Sequence, residues 1–279
     1  MSHTILDQLS DYADWLIQEE RSAATAEKYL RSLRRFALWL NERPLCKANV
    51  LAWRAHLQEK GYAPGTINTM LAALHSYFRF ADITDCSVKY LRVQRSLFRD
   101  SDRALSLDDY HRLVRAAYSI GQHQLALIIE TICATGIRVS EVKYITVEAL
   151  ACGKVEISLK GKIRTILIPG KLCKKLKKYA KKKRTVSGEI FITKTGTGLS
   201  RKQIWAEMKA ICQRAKVAAS KVFPHNLRHL FARTFYKVCR DVAKLADVLG
   251  HSSIETTRIY LISTGKEHNT ILDKLRLTT

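Results

Sequence analysis

The chain has 279 residues and a formal net charge of +23, from 48 Lys and Arg against 25 Asp and Glu. That length allows one large or two ordinary domains, and a hydrophobic content of 47% is enough to fill their cores. The positive excess favours a polyanionic partner, nucleic acid ahead of an anionic membrane surface, and no run reaches the ~18 continuous apolar residues of a membrane span.

The first residues, MSHTILDQLSDYADW, have early acidic groups and lack a basic-then-apolar signal pattern, which reads as cytoplasmic. Ile5, Leu9, Tyr12 and Leu16 are spaced as one helical face within residues 4–20. Thr25 can cap a second helix that buries Tyr29, Leu33, Phe36 and Leu40. A third helix is predicted over residues 47–59, ended by Gly61, and a fourth opens at Pro64 with Ile67, Met70, Leu71, Leu74, Tyr77 and Phe78 as its stripe. No strand pattern precedes residue 95, so residues 1–92 are expected to form a helical module of four or five helices. Lys28, Arg31, Arg34, Arg35, Arg54, His75 and Arg79 are expected on its exposed faces, where charge serves solubility as readily as binding. Residues 93–103 are polar, basic and aperiodic, and are expected to link this module to a second domain over 104–279.

In the second domain, Ser106 to Asp109 forms a weak capping box before a helix, and residues 122–134 form an apolar core helix. Gly136 then breaks that helix and Arg138 begins the next, at orphan backbone N–H groups suited to an anion; an ion pair with Glu141 is the plainer alternative. Val155, Ile157 and Leu159 alternate with polar neighbours, as do Ile166 and Ile168, which predicts a hairpin with a basic tip at Lys160-Gly161-Lys162. Residues 189–193 (EIFIT) are expected to add a third strand. Residues 171–184 form a lysine-rich amphipathic helix, and 200–215 another. A short final helix is expected within Lys266–Leu277.

Between these two helices and the tail, Pro224 opens a helix in which His225, Arg228 and His229 share one face. Val242 to Leu249 form another, stopped by Gly250; His251 lies in the turn, and Ser252 or Ser253 caps a helix carrying Arg258 and Tyr260. Two histidines at i and i+4 would suit zinc, but the glutamate of H-E-x-x-H is missing and Arg228 on the same face would repel a cation. The seven cysteines (46, 86, 133, 152, 173, 212 and 239) are odd in number, scattered and without a C-x-x-C pair, which fits reduced thiols. No G-x-x-x-x-G-K-[ST] loop or G-x-S-x-G elbow occurs, so neither ATP nor a serine nucleophile is indicated.

The remaining set is Arg138, Lys160, His225, Arg228, His251 and Tyr260. Two arginines can clamp phosphodiester oxygens and offset charge developing in a pentavalent transition state. A phenol can attack phosphorus, a histidine can take or relay its proton, and a lysine can protonate the leaving oxygen. No metal and no cofactor is required by this set.

The motifs A-T-G-I-R-V-S-E at 134–141, H-N-L-R-H at 225–229, L-G-H-S-S at 249–253 and T-R-I-Y ending at Tyr260 resemble the tyrosine recombinases, the phage-integrase and Xer-like family. The resemblance covers residues 103 to the end and extends more loosely over the helical N-terminal half. It implies a mainly α protein: a helical, SAM-like core-binding domain, then a mostly helical catalytic domain with a small three-stranded antiparallel sheet. It further implies that Tyr260 forms a 3′-phosphotyrosyl link, that Arg138 and Arg228 clamp the phosphate, that His225 acts as base or relay, and that His251 hydrogen-bonds the phosphate. Lys160 matches the hairpin lysine by its following glycine, with Lys162 in reserve, because the family's G-K-G-x-K reads L-K-G-K-I-R here. Glu141 and His229 are expected to support the site. The implied partners are double-stranded DNA and further copies of the chain, as a tetramer on two DNA sites, with no membrane. The alternatives are a type IB topoisomerase using the same chemistry, and a non-catalytic helix-turn-helix regulator.

Overall fold

The computed structural model describes residues 5–93, 101–159, 162–251 and 253–261. The chain divides into two compact units, residues 1–95 and 96–279.

The described residues of the first unit form four helices, α1 (Leu9–Gln18), α2 (Ala23–Leu40), α3 (Lys47–Glu59) and α4 (Pro64–Phe80). Tyr12, Leu16, Leu33, Phe36, Val50, Trp53, Ile67, Leu71, Leu74 and Phe78 are fully buried between them, at the 3- and 4-residue spacings that put one stripe of each helix inside. Each such side chain stabilises the fold by about 1.5–3 kcal/mol relative to exposure. The cap of α2 is Ser22, whose hydroxyl accepts from Thr25 N at 3.3 Å; Thr25 itself lies within the first turn.

Asp85–Leu91 follows α4 without regular structure, and side chains of α3 and α4 bind its backbone. Arg54 Nη1 donates to Lys89 O at 2.8 Å, and His75 Nε2 accepts from Val88 N at 3.3 Å. Asn68 makes a double bond to one residue, donating to Leu91 O at 2.9 Å and accepting from Leu91 N at 2.8 Å. Arg54 and His75, expected on an exposed face, are therefore half-buried and hold the chain where it leaves the module. The expected linker at 93–103 falls mostly on 94–100, outside the described residues.

The second unit opens with α5 (Leu107–Ser119), started by the Ser106–Asp109 capping box in full reciprocal form. Its centre is α6 (His123–Thr135), whose Leu125, Ala126, Ile128, Ile129 and Ile132 are fully buried. A 3-10 turn over Val139–Tyr144 and the short α7 (Val147–Cys152) lead into β1 (Lys154–Leu159) and β2 (Lys162–Leu167), an antiparallel pair in which Val155 faces Ile166 and Ile157 faces Arg164. The sheet has two strands among the described residues, not three. Residues 189–193 make only isolated bridges, Thr146 with Glu189 and Ile192 with Gly198. The adjacent Ile190 and Phe191 are both 1% exposed, a pattern that alternation along a half-buried strand would not allow.

Three further helices follow before the last group: α8 (Gly170–Lys183) carries the lysines, and the helix expected over 200–215 occurs as α9 (Arg201–Ala210) and α10 (Cys212–Ala215). The last three described helices are α11 (Pro224–Cys239), α12 (Val242–Leu249) and α13 (Ile254–Leu261). They share a small apolar cluster of their own, Ala232, Leu245, Leu249 and Tyr260 with Phe231, Phe235 and Tyr236 beside it. The tail helix expected at 266–277 lies outside the described residues. The described cysteine thiols are all free. No described helix is long and apolar enough to cross a membrane.

Candidate active site

The A-T-G-I-R-V-S-E segment is a helix stop followed by a tight restart. Thr135 Oγ1 donates back to Thr131 O at 2.6 Å and accepts from Ile137 N at 3.3 Å, closing α6. Gly136 then takes φ +65°, where a Cβ would be strained and would also collide with the Phe231 ring. Ile137 is fully buried and anchors the turn, so Arg138 emerges at the start of the 3-10 turn. Glu141, three residues on, accepts from Arg138 N at 2.8 Å and from Arg138 Nη1 at 2.8 Å. The ion pair considered in the sequence is thus present. It leaves the Arg138 side chain 42% exposed, and one guanidinium edge remains available.

Arg228 is the opposite case, with 1% exposure on α11. On the polar face of this helix Arg228 is buried and His229 half-buried, while His225 stays exposed. Arg228 Nη1 donates to Gly136 O, Nη2 donates to Leu249 O at 2.8 Å and to His251 Nε2 at 2.9 Å, and Nε donates to Tyr260 Oη at 3.4 Å. The two carbonyls belong to the helix-ending turns of α6 and α12, so one guanidinium ties both turns together. Burial lowers the Arg228 pKa, opposed by the Tyr260 hydroxyl. The group starts from a value so high that it stays cationic.

His251 is placed by the L-G-H-S-S segment. Gly250 ends α12 at φ +62°, and His251 N bonds back to Ala246 O at 3.0 Å. Its Nε2 receives the Arg228 proton, so Nε2 is the acceptor and Nδ1 is the donor, to Thr257 Oγ1 at 2.8 Å. Burial, and then the positive charges of Arg228, Arg138 and Arg164, hold its pKa down at about 4, and the ring is neutral at neutral pH. Ser253 Oγ caps α13 by accepting from Glu255 N at 3.2 Å. Of that helix only Thr257 and Tyr260 are buried among the residues whose side chains are described, at 0% and 5%.

Tyr260 therefore sits in the basic cluster of its own chain. Its ring has three imidazoles around it, with centroids at 4.4 Å for His229, 5.4 Å for His251 and 5.6 Å for His225. His225 is exposed and packs edge-on against His229, with centroids 4.6 Å apart. Of the six residues singled out in the sequence, five converge here: Arg138, His225, Arg228, His251 and Tyr260. Lys160 lies outside the described residues.

Sequence reasoning missed two participants. Thr257 accepts from His251 Nδ1 and holds the ring in the orientation that presents Nε2 to Arg228. Arg164, on β2, reaches Glu141 Oε2 with Nη1 at 3.0 Å and Val248 O with Nη2 at 3.0 Å, and its side chain is only 10% exposed. Its sequence signal was present: position 164 lies two residues before Ile166, on the inward face of an alternating strand. Burial, and then the nearby Arg228 and Arg138, push its pKa down to about 10 against the pull of Glu141. Two guanidinium groups thus bond one carboxylate and a third, Arg228, bonds none among the described residues, so residual positive charge faces a phenol. Among the described residues no three His, Cys, Asp or Glu side chains gather as a metal site.

Residues 103–267, more than half of the chain, match the phage integrase family. The chain belongs to that family. Residues 9–82 match the phage integrase N-terminal SAM-like domain. Among curated proteins, the chain is 28% identical to the tyrosine recombinase XerA of Pyrococcus furiosus over 278 residues, covering 96% of this chain and 94% of that protein. It is 25% identical to the tyrosine recombinase XerD of Listeria monocytogenes, covering 91% of this chain and 93% of that protein. Among solved structures, a lambda integrase dimer bound to a COC′ core site aligns with TM-score 0.74 at 18% identity, covering 92% of this chain and 95% of that one. The XerH recombinase bound to its difH substrate aligns with TM-score 0.70 at 19% identity, covering 97% of this chain and 84% of that one. This integrase-family member is a site-specific tyrosine recombinase, an enzyme that cleaves and rejoins DNA with a tyrosine nucleophile.

Proposed function

We propose that Tyr260 is that nucleophile and that the groups around it form one phosphoryl-transfer site. Tyr260 Oη attacks the scissile phosphorus, the bond from phosphorus to the 5′ oxygen breaks, and a 3′-phosphotyrosyl link remains. Arg138 and Arg228 hold the non-bridging oxygens, and their charge counts for most where negative charge concentrates in the transition state. His225, exposed beside the phenol, takes its proton. The hairpin lysine, Lys160 or in its place Lys162, gives a proton to the departing 5′ oxygen. Attack by the 5′ hydroxyl of a second duplex reverses the sequence and exchanges strands.

The observation that carries this reading is the 3.4 Å contact of Tyr260 Oη with Arg228 Nε inside the arginine–histidine cluster. It also defines a starting state. Tyr260 and His251 occupy donors of Arg228 that a phosphate would use, so arriving DNA replaces a phenol and an imidazole at the guanidinium. His251 must then turn from acceptor to donor toward the phosphate, by tautomer exchange or by taking up a proton.

The partners follow from this chemistry: double-stranded DNA and further copies of the chain, as a tetramer on two sites, like the lambda integrase tetramer that binds a Holliday junction. The organisation proposed is a DNA-binding module over 1–92, a linker at 93–103 and a catalytic domain from 104 onward, acting in the cytoplasm. The test is a supercoiled plasmid with two copies of the target site. Deletion or inversion of the interval is expected; relaxation without any exchange would mark a topoisomerase instead.

A further inference from the structure

We propose that Arg164 is a positioning residue for strand cleavage, which keeps the charge of Arg138 available to the phosphate by neutralising Glu141. The proposal rests on Arg138 acting as a clamp.

Glu141 is 2% exposed and bonds Arg138 through one oxygen and Arg164 through the other. A buried carboxylate facing a single arginine would form a neutral pair and cancel the field that a phosphate needs. With Arg164 present, the three groups sum to one positive charge, and the excess resides on the exposed member, Arg138. Glu141 thereby orients Arg138 without quenching it.

The second task of Arg164 is mechanical. From strand β2 its Nη2 reaches Val248 O at the end of α12, and its Cδ and Cγ lie where a side chain at Gly250 would stand. Gly250 is followed by His251. The same side chain therefore braces the hairpin, the Arg138 turn and the His251 turn against one another. Lysine carries the charge but lacks the planar fork needed to hold Glu141 and Val248 O together.

The test measures cleavage of a nicked target duplex and duplex affinity in the full chain, for Arg164→Met, Arg164→Lys, Glu141→Gln and the double variant Arg164→Met with Glu141→Gln. Arg164→Met is expected to lower cleavage by about 10²-fold while Kd changes by less than about threefold. Removing the uncompensated carboxylate reverses part of the loss, so the double variant cleaves about tenfold faster than Arg164→Met, although Glu141→Gln alone slows the enzyme. Arg164→Lys stays within about tenfold of wild type. A purely structural brace predicts that the double variant is no better than the single one, and that result overturns the proposal, as does wild-type cleavage by Arg164→Met. If Arg164→Met fails to fold, Arg164→Lys decides: cleavage as low as that of Tyr260→Phe overturns the proposal. Failure of the underlying clamp is separately visible, as normal cleavage by Arg138→Ala.

Discussion

Where the chain leaves the N-terminal module, Arg54, Asn68 and His75 give their donors and acceptors to backbone groups between Val88 and Leu91. Around Tyr260, Arg138 and Arg164 share one carboxylate, while two ring groups of the site itself, with two backbone carbonyls, take the donors of Arg228. Both regions withdraw polar side chains from water. The first spends its groups on fixed partners within the same module, the backbone of Val88 to Leu91 and, for His75 Nδ1, the Tyr90 hydroxyl. The second satisfies its donors with partners that a ligand can replace, and it keeps an excess of positive charge. Half-buried polar side chains are thus common to both places; a cluster of guanidinium groups whose donors are held by replaceable partners belongs to the reactive one.

The largest effect expected from this contrast separates the two clamp arginines. Arg228→Ala should lower cleavage by at least about 10³-fold, and it should also lower the melting temperature. Gly136 O and Leu249 O lose their donor, at about 1–3 kcal/mol for each group left buried and unpaired. Arg138→Ala should lower cleavage by about 10²–10³-fold with little change in melting, because Glu141 keeps Arg164. Equal losses of stability in the two variants would contradict the assignment of Arg228 as both brace and clamp. A smaller effect is expected at the exit segment. Asn68→Ala removes two hydrogen bonds to Leu91 and should cost about 1–3 kcal/mol of stability, with cleavage of pre-bound nicked DNA unchanged. A fall in that cleavage step would show that the segment does more than hold the chain.

The smallest effect concerns pH. His251 is neutral in the folded chain down to about 4, whereas an unfolded histidine protonates near 6.5. The unfolded state therefore binds more protons in that window. The stability from keeping this ring neutral is full above about pH 6.5 and is lost as pH falls toward 4. Melting temperature should fall across the window, by about 2–4 °C for each kcal/mol lost, and His251→Gln, which can still accept from Arg228 and donate to Thr257, should remove that part. An unchanged slope in the variant would assign the effect to another group.

Much of this arrangement was legible in the sequence because it is carried by local signals. Pro224, Gly136 and Gly250 mark helix boundaries by backbone geometry alone, and the motif spacings place Arg138 and His251 just past two of them, Arg228 one turn after Pro224 and Tyr260 near the end of α13. The third strand was misread because EIFIT is apolar and β-rich, yet its two adjacent buried residues fit a loop packed into the core. Arg54 and His75 read as surface charges because helical periodicity says which face a residue occupies, not what later segment will cover it. Arg164 was missed for a related reason: its partners Glu141 and Val248 lie far away in the chain, and only folding brings them together. The inward burial of Arg228 was equally invisible, since its acceptors are backbone carbonyls that no residue type announces.

The central claim is that the phenol of Tyr260 becomes bonded to DNA phosphorus. The most direct measurement traps the wild-type protein on a nicked target duplex, digests the denatured adduct and maps the modified peptide by mass spectrometry. A 3′-phosphorylated nucleotide on Tyr260 is expected, with no adduct from Tyr260→Phe although that variant still binds the duplex. An adduct on any other residue, or one that persists in Tyr260→Phe, would contradict the account.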